Sequence, residues 1–431
     1  MNHLSDDDSG PVSELLPTLT GQVVSRRGLV ERIVEQFDDE FSPEFVAAVT
    51  DDVERRRMVR DVADYVLSVQ SVFLAPQELA RLLQMVYSEV MGYGGLDPYF
   101  ADPDVTTIAV EGAARLAVRY RPGSDLAQKP PVFDDTRHMR RIMGRLLNDA
   151  GASLESTLPI TEAGLVVRDR PVRVTVALPP FVAELRADIR VHPEDVITLE
   201  QMERDGFFNA PGRQVVEAVA RSGHGFVIVG DTESGKTTLL NAMALAAQGP
   251  IVSVERAGEM RLPAGSVQLV GSGQASREGA AARQETSLFE QRIEDALKHN
   301  PALLLLDEVR ADEPQAIARL LQEGAVPRLA WAFRGASEAK RVRSGLGMLA
   351  RMAANNAAAE DFVDRLYARL PFIIMVKRRR GTIQMLEVAE WQLQANWVDY
   401  VPLLEMDDSA LRLTGRQPQR ALDLPDGFWR A

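Results

Sequence analysis

The spacing of apolar residues changes several times along the chain, and each change marks an element. From Ser25 to Gln36, and again from Pro43 to Gln70, apolar residues recur every three or four positions. Val46, Val49, Val53, Met58, Val62 and Val66 trace the second stripe, which predicts amphipathic helix. Pro76 opens a further helix through Met91, and Gly92-Tyr-Gly-Gly95 breaks it. The period then shortens. Val105-Thr-Thr-Ile-Ala-Val110 and Leu116-Ala-Val-Arg-Tyr120 read as strands joined at Glu111-Gly112. Arg137 to Ala150 reads as helix, and Leu165 to Leu178 as strand, ended by Pro179-Pro180. From Arg213 the order becomes helix, strand, Gly-rich loop, helix. Phe226-Val-Ile-Val229 suits a parallel strand buried on both faces, and Thr238 to Ala247 continues as helix.

Composition narrows the class. The 431 residues are 45% hydrophobic and 26% charged, as in a soluble globular protein of two or three domains. A net charge of −13 argues against a general nucleic-acid binder and leaves room for a local basic site. The absence of cysteine excludes disulfides, zinc-cysteine sites and thiol nucleophiles, and fits a reducing cytoplasm. The acidic start MNHLSDDDSGPVSE lacks the apolar core of a secretory signal. Runs such as Ala302-Leu-Leu-Leu-Leu306 and Phe372-Ile-Ile-Met-Val376 are too short to cross a bilayer, so membrane association is expected through a partner or a surface. The first 100 residues hold 18 acids and 8 bases, whereas the rest hold 44 and 41. That acidic N-terminal module reads either as a solvated helical surface or as a docking face. His3, His138, His192, His224 and His299 are scattered without metal-ligand spacing.

The strongest chemical signal is Gly230-Asp231-Thr232-Glu233-Ser234-Gly235-Lys236-Thr237, followed by Thr238. This is the Walker A pattern, here between a buried-type strand and a helix. Its glycines let backbone N–H groups turn toward a β-phosphate. Lys236 brings a cation to the β- and γ-oxygens, the Thr237 hydroxyl can hold Mg2+, and the helix start adds partial positive charge. Glu233 stands where a glycine is common, because the backbone there often has positive φ. Pointing outward, its carboxylate would matter little; pointing inward, it would lower nucleotide affinity. Leu303-Leu-Leu-Leu-Asp307-Glu308 fits Walker B, with Asp307 beside magnesium and Glu308 polarising the attacking water. Val252-Ser-Val-Glu255 ends another strand in an acid, with Glu259 four residues on, as auxiliary catalytic carboxylates or solvated turn acids. Lys377-Arg-Arg-Arg380-Gly381 is a basic run between two strand-like segments, read as a solvent-exposed turn or as a contact for DNA or lipid headgroups.

The order of these motifs resembles the type II/IV secretion-system ATPases, and most of all the CpaF-type branch that serves Flp pilus assembly. The resemblance runs from about Leu79 to Gln419. Met91-Gly-Tyr-Gly-Gly-Leu-Asp-Pro98 with Asp102-Pro-Asp-Val-Thr-Thr-Ile108 is similar to the family's opening "GLGPLEPLL-DPDVTEI". Arg173-Val-Thr-Val-Ala-Leu-Pro-Pro180 is similar to "RVNAVLPP", and Ile189-Arg190 to "TIRRF". Val254 to Met260 resembles the Asp box, Ala296 to Pro301 "ALRMRP", Asp307-Glu-Val-Arg310 "GEVR", and Leu411 to Pro418 a C-terminal "ATGxxP" element.

The resemblance implies an α/β fold, with a smaller mixed α/β domain and an N-terminal helical region preceding a RecA-like P-loop ATPase domain. The expected boundaries are an acidic helical region at 1–75, an α/β domain at 76–205, the RecA-like domain at 206–389 and a tail at 390–431. It implies a cytoplasmic homo-hexamer, held at the inner membrane by a platform protein, that couples Mg2+-dependent ATP hydrolysis to pilus assembly or secretion. Arg173 and Arg190 are the implied phosphate-facing arginines, and Arg310, in the element similar to "GEVR", is a further candidate nucleotide-binding residue. The sequence departs from the family at its histidine element, "TGHDGSLSTIHA". The two histidine positions are Ala325 and Arg334 here, and Arg256 replaces the Asp of the Asp box. Those departures keep two alternatives in view: a nucleotide-binding ring subunit with little or no hydrolysis, and a DNA-transfer ATPase of conjugation.

Overall fold

The computed structural model describes the chain except residues 1–14, 19–20, 22, 122–123, 155–158, 195, 272–287, 312, 325, 336, 355–358, 380–381, 395–396, 408–409 and 431. It forms two compact units. One holds residues up to Asp102 with Pro131–Leu146, and the other holds Pro103–Pro130 and everything from Leu147 onward.

The first unit is mainly helical. A short hairpin, β1 (Leu15–Pro17) and β2 (Val23–Ser25), leads into α1 (Arg26–Glu40), α2 (Pro43–Ala48), α3 (Asp52–Val69), α4 (Pro76–Met91) and α5 (Asp97–Ala101). Helix α6 (Thr136–Asp149) joins this unit through Leu146. The caps are those that the sequence prescribes. Ser25, Ser42 and Asp51 each accept a backbone N–H at a helix start, and prolines occupy the first turns of α2 and α4. Ile33, Val34, Phe37, Val59, Val62, Ala63, Leu82 and Val86 meet in one core. Val53 was expected in the apolar stripe but is exposed. It lies in the first turn of α3, ahead of the buried face that starts at Met58.

The second unit contains two sheets. The smaller is antiparallel, built from β3 (Thr107–Glu111), β4 (Arg115–Arg119), β5 (Ala127–Lys129), β6 (Ile160–Val167), β7 (Arg170–Ala177) and β8 (Arg186–Val191), in the order β5-β4-β3-β8-β7-β6. The single strand expected over Leu165–Leu178 is instead a hairpin. Its turn, Arg168-Asp169, has positive φ at both residues (50° and 63°), as a two-residue hairpin turn requires. Without glycine, that turn leaves little trace in the sequence.

The larger sheet follows two short helices, α7 (Leu199–Arg204) and α8 (Ala210–Arg221). Its elements are β9 (Phe226–Gly230), α9 (Lys236–Ala246), β10 (Ile251–Glu255), β11 (Val267–Val270), α10 (Leu288–Lys298), β12 (Leu303–Val309), α11 (Gln315–Leu321), β13 (Arg328–Arg334), α12 (Ala339–Ala353), α13 (Ala359–Arg369), β14 (Phe372–Arg379), β15 (Thr382–Leu393), β16 (Val398–Met406) and β17 (Leu411–Leu413). Strand order is β11-β10-β12-β13-β9-β14-β15-β16-β17, parallel from β11 to β14 and antiparallel beyond.

The uninterrupted apolar strands are explained by helices on both faces. Val227, Val229, Leu304, Leu306 and Trp331 enter one core with residues of α10 to α13. Phe226, Ile228, Leu303, Leu305 and Ala330 enter another, with residues of α8 and α9. The segment from residue 390, expected as a tail, carries two strands of this sheet, and its later residues Leu422, Leu424, Phe428 and Trp429 pack against the second core. The fully buried Glu390 fixes that return. Its carboxylate accepts the backbone N–H of Gln419 at 2.7 Å and of Arg420 at 3.0 Å, and pairs with the Arg420 side chain at 3.1 Å.

Candidate active site

The loop between β9 and α9 gathers the first group of candidate residues. Gly230 admits no side chain, because a Cβ there would press on Ser234 and on the Val376 carbonyl. Gly235 sits at φ 84°, in the left-handed region, immediately before the helix starts at Lys236. The Ser234 hydroxyl and the Lys236 ammonium both donate to the Asp231 carbonyl, each at 2.7 Å. Thr232 and Thr238 flank this turn within the same loop and helix start. Lys236 is 8% exposed, and burial lowers its pKa against the opposing pull of Asp307 and Glu308.

Strand β12 delivers the acidic pair to that loop. The Thr237 hydroxyl donates to Asp307 Oδ1 at 2.8 Å. Asp307 is buried, and burial together with Glu259 and Glu255 pushes its carboxyl well above the usual range, against Thr237 and Arg173. At Glu308 the pairing register with β13 shifts, between Leu306 and Val309, and φ is 58°. A non-glycine residue in that conformation costs about 1 kcal/mol. The bulge sends the Glu308 carboxylate out of the β12 pleat and onto two arginines. Arg173 Nη2 lies 2.8 Å and Arg310 Nη2 3.0 Å from its oxygens. Burial alone would raise the Glu308 pKa, but the two guanidinium groups outweigh it and hold the carboxylate ionised below its ordinary range.

Arg173 comes from β7 of the smaller sheet. It also pairs with Glu259 at 3.4 Å and with Glu162 of β6, which in turn lies 3.3 Å from Arg310. The Glu259 side chain is only 5% exposed; His192, Arg173 and Arg190 overcome its desolvation and hold its pKa low. Glu255 is fully buried, and desolvation raises it. It accepts from Ser253 at 2.6 Å, from the Met260 N–H at 2.9 Å and from Gln268 at 2.8 Å. With its lone pairs committed, Glu255 braces the loop that carries Glu259. Gly164 of β6 packs on that same loop so tightly that a Cβ would run into the Ala257 carbonyl.

A second cluster surrounds Glu233, whose φ is 59°. Its carboxylate meets Arg119 at 3.1 Å, Arg190 at 3.2 Å and Arg378 at 3.6 Å. Arg256 donates to the Glu308 carbonyl at 3.2 Å, pairs with Glu313 at 2.6 Å and lies 4.5 Å over the Phe289 ring. Arg334, at the end of β13, is near enough to Lys236 to oppose its charge. Ala325, Arg380 and Gly381 lie outside the described residues.

The geometry thus gathers Lys236, Thr237, Asp307, Glu308, Glu259, Arg173 and Arg310 in one neighbourhood, with Glu233 and Arg190 beside it. Sequence reasoning missed Arg119, Arg378, Glu162 and His192. Arg378 falls in the basic run, but neither its spacing nor that of the other three marks a site.

A parallel sheet covered by helices, with a phosphate loop after one strand and an acidic pair ending its neighbour but one, is the RecA-like P-loop fold of ATPases. The chain belongs to the type II/IV secretion system protein family, whose model matches residues 107–324. It is 25% identical over 353 residues to a protein of Mycobacterium tuberculosis (strain H37Rv) named for conjugal transfer, covering 78% of this chain and 96% of that one. It is similar to the Legionella pneumophila ATPase DotB (14% identity, 68% of this chain and 79% of that chain, TM-score 0.44). It is similar also to the pilus retraction motor PilT with bound ADP (15% identity, 74% and 82%, TM-score 0.44).

Proposed function

We propose that this protein is the ATP-hydrolysing subunit of a hexameric motor that powers Flp-type pilus assembly or secretion, docked at the inner membrane on a platform protein. The observation that carries this reading is the meeting of Thr237 with Asp307, 2.8 Å apart, beside a Glu308 held by an arginine of the other sheet.

In this reading Gly230 to Thr238 cradle the phosphates, and the buried Lys236 cation neutralises their charge. A hydroxyl and a carboxylate oxygen side by side are the donors that Mg2+ takes from protein while phosphates and water complete its shell, so Thr237 and Asp307 fit the ion. When bound, it would neutralise charge on the β- and γ-oxygens. Glu308 orients the attacking water. With its pKa held down it is a weak base, so its contribution is placement more than proton abstraction. Glu259, poised over Arg173, sets that arginine's position, and Glu255 braces the loop. Arg173, Arg190 and Arg310 offer cations to the transferring phosphoryl group.

One observation favours a second reading. Arg173 and Arg310 already hold Glu308, and three arginines hold Glu233, so in the resting site the cations that would meet phosphate are engaged by the protein's own acids. A nucleotide-gated ring subunit with little hydrolysis would have such a site. The conjugal-transfer name of the mycobacterial relative keeps a DNA-transfer motor in view, which DNA-stimulated turnover would support. Phosphate release by the full chain over a range of protein concentrations tests the main reading. Specific activity that rises with concentration, and vanishes in Lys236→Ala, is expected. ATP binding without turnover at any concentration would favour the gated subunit.

A further inference from the structure

Glu233 is the only acid at the centre of three converging arginines among the described contacts of this loop. Each arginine arrives from a different strand: Arg119 from the end of β4, Arg190 from β8 and Arg378 from the β14–β15 hairpin. Their side chains are 19%, 28% and 28% exposed, and that of Glu233 is 30% exposed, so the cluster is shielded without being sealed. Arg190 also pairs with Asp188 at 3.4 Å. Three guanidinium groups against these two carboxylates still leave the cluster positive, and their forked donors match an oxyanion with more charge than a carboxylate carries. The cluster stands at the rim of the phosphate loop, three residues before Lys236. Glu233 holds its place at φ 59°, in the left-handed region that non-glycine residues rarely adopt.

We propose that Glu233 is a built-in anion that competes with the terminal phosphate of a nucleoside triphosphate for Arg119, Arg190 and Arg378. The proposal rests on the reading that the loop of Gly230 to Thr237 binds nucleotide. Entry of a triphosphate transfers the three arginines from the carboxylate to the γ-phosphate and moves Glu233 aside. A diphosphate lacks the group that needs them. The competition therefore lowers affinity for ATP more than for ADP, and it ties the hold on ATP to arginines of β4, β8 and β14 together.

Titration of the full chain with fluorescent N-methylanthraniloyl ATP and ADP tests this, using wild type, Glu233→Gln, Glu233→Asp and Arg378→Gln, each checked for cooperative thermal unfolding. Glu233→Gln keeps the size and the backbone strain and removes only the charge. It is expected to tighten ATP roughly tenfold and ADP by much less. Glu233→Asp, which keeps the charge, should stay near wild type, and Arg378→Gln should weaken ATP more than ADP. Unchanged or weaker ATP binding by a folded Glu233→Gln, or equal gains for ATP and ADP, would overturn the competition. Binding of neither nucleotide by wild type and Glu233→Gln would overturn the nucleotide reading of the loop, and the proposal with it. Wild-type binding lost in Lys236→Ala separates these two failures.

Discussion

Arg173 Nη2 stands 2.8 Å from Glu308 Oε2, and the two residues belong to different sheets. Glu308 sits on a bulge with φ 58°, and Arg173, on a central stretch of β7, shares the same Nη2 with Glu162 while its Nη1 faces Glu259. One cation thus joins the acidic end of the nucleotide-binding sheet to the antiparallel sheet. A change in either sheet's position must break or remake this contact.

Replacing Arg173 should therefore separate binding from turnover. Arg173→Gln leaves Lys236 and the phosphate loop untouched but frees Glu308 and, on the proposed function, removes a cation offered to the phosphoryl group. Loss of such a charge-stabilising group costs about 10²-fold or more in kcat. Steady-state phosphate release beside equilibrium ATP binding checks this. The expected outcome is a large fall in kcat with a change in ATP affinity of less than about 1.4 kcal/mol, which is tenfold.

Gly164 offers a test through packing alone. A side chain there would collide with the Ala257 carbonyl, two residues before Glu259. Gly164→Ala should push the loop of Glu255 to Glu259 away from β6, destabilise the fold by about 1–3 kcal/mol as overpacking does, and lower kcat. Gly144, where a Cβ would meet nothing within 4 Å, is the control position, although it lies inside α6. Denaturant midpoints and turnover for the two alanine variants measure both effects.

A pH effect on stability should arise far from the site. Glu387 of β15 is half-buried, and desolvation with the opposing Glu405 pushes its pKa up to about 7, against a hydrogen bond from Tyr400. A raised folded pKa means that the native state holds its proton more tightly than the unfolded chain does. The stabilisation is complete below the ordinary value of 4.5 and is lost as pH rises through about 7. Its size is at most about 3 kcal/mol. Glu387→Gln keeps an acceptor for Tyr400 and cannot ionise. Melting curves from pH 5 to 8 should show a smaller decline with pH in the variant, which should exceed wild type in stability at pH 8.

What was legible in the sequence was local. The phosphate loop, the apolar strand ending in Asp307 and Glu308, and the helix from Pro76 to Met91 follow from spacing, capping and period within a few residues. The partners of those residues were not legible. Arg119, Arg378 and Glu162 reach the site by strand pairing and packing between segments more than a hundred residues apart, which leaves no local mark. The Arg168-Asp169 turn was hidden because neither residue is glycine. The strands after residue 390 were hidden because their alternation is weak and breaks at Leu403 of β16, the extra residue opposite Val388 and Ala389, where Leu403 and Leu404 are both buried.

In the proposed function, Glu308 places the attacking water. ATP hydrolysis by wild type and Glu308→Gln, measured under single turnover at saturating Mg·ATP with binding followed separately, tests it most directly. The variant is expected to bind ATP at least as tightly as wild type and to hydrolyse it about 10²- to 10⁴-fold more slowly, the range of acid–base and water-positioning groups. Hydrolysis at an undiminished rate by Glu308→Gln would contradict it.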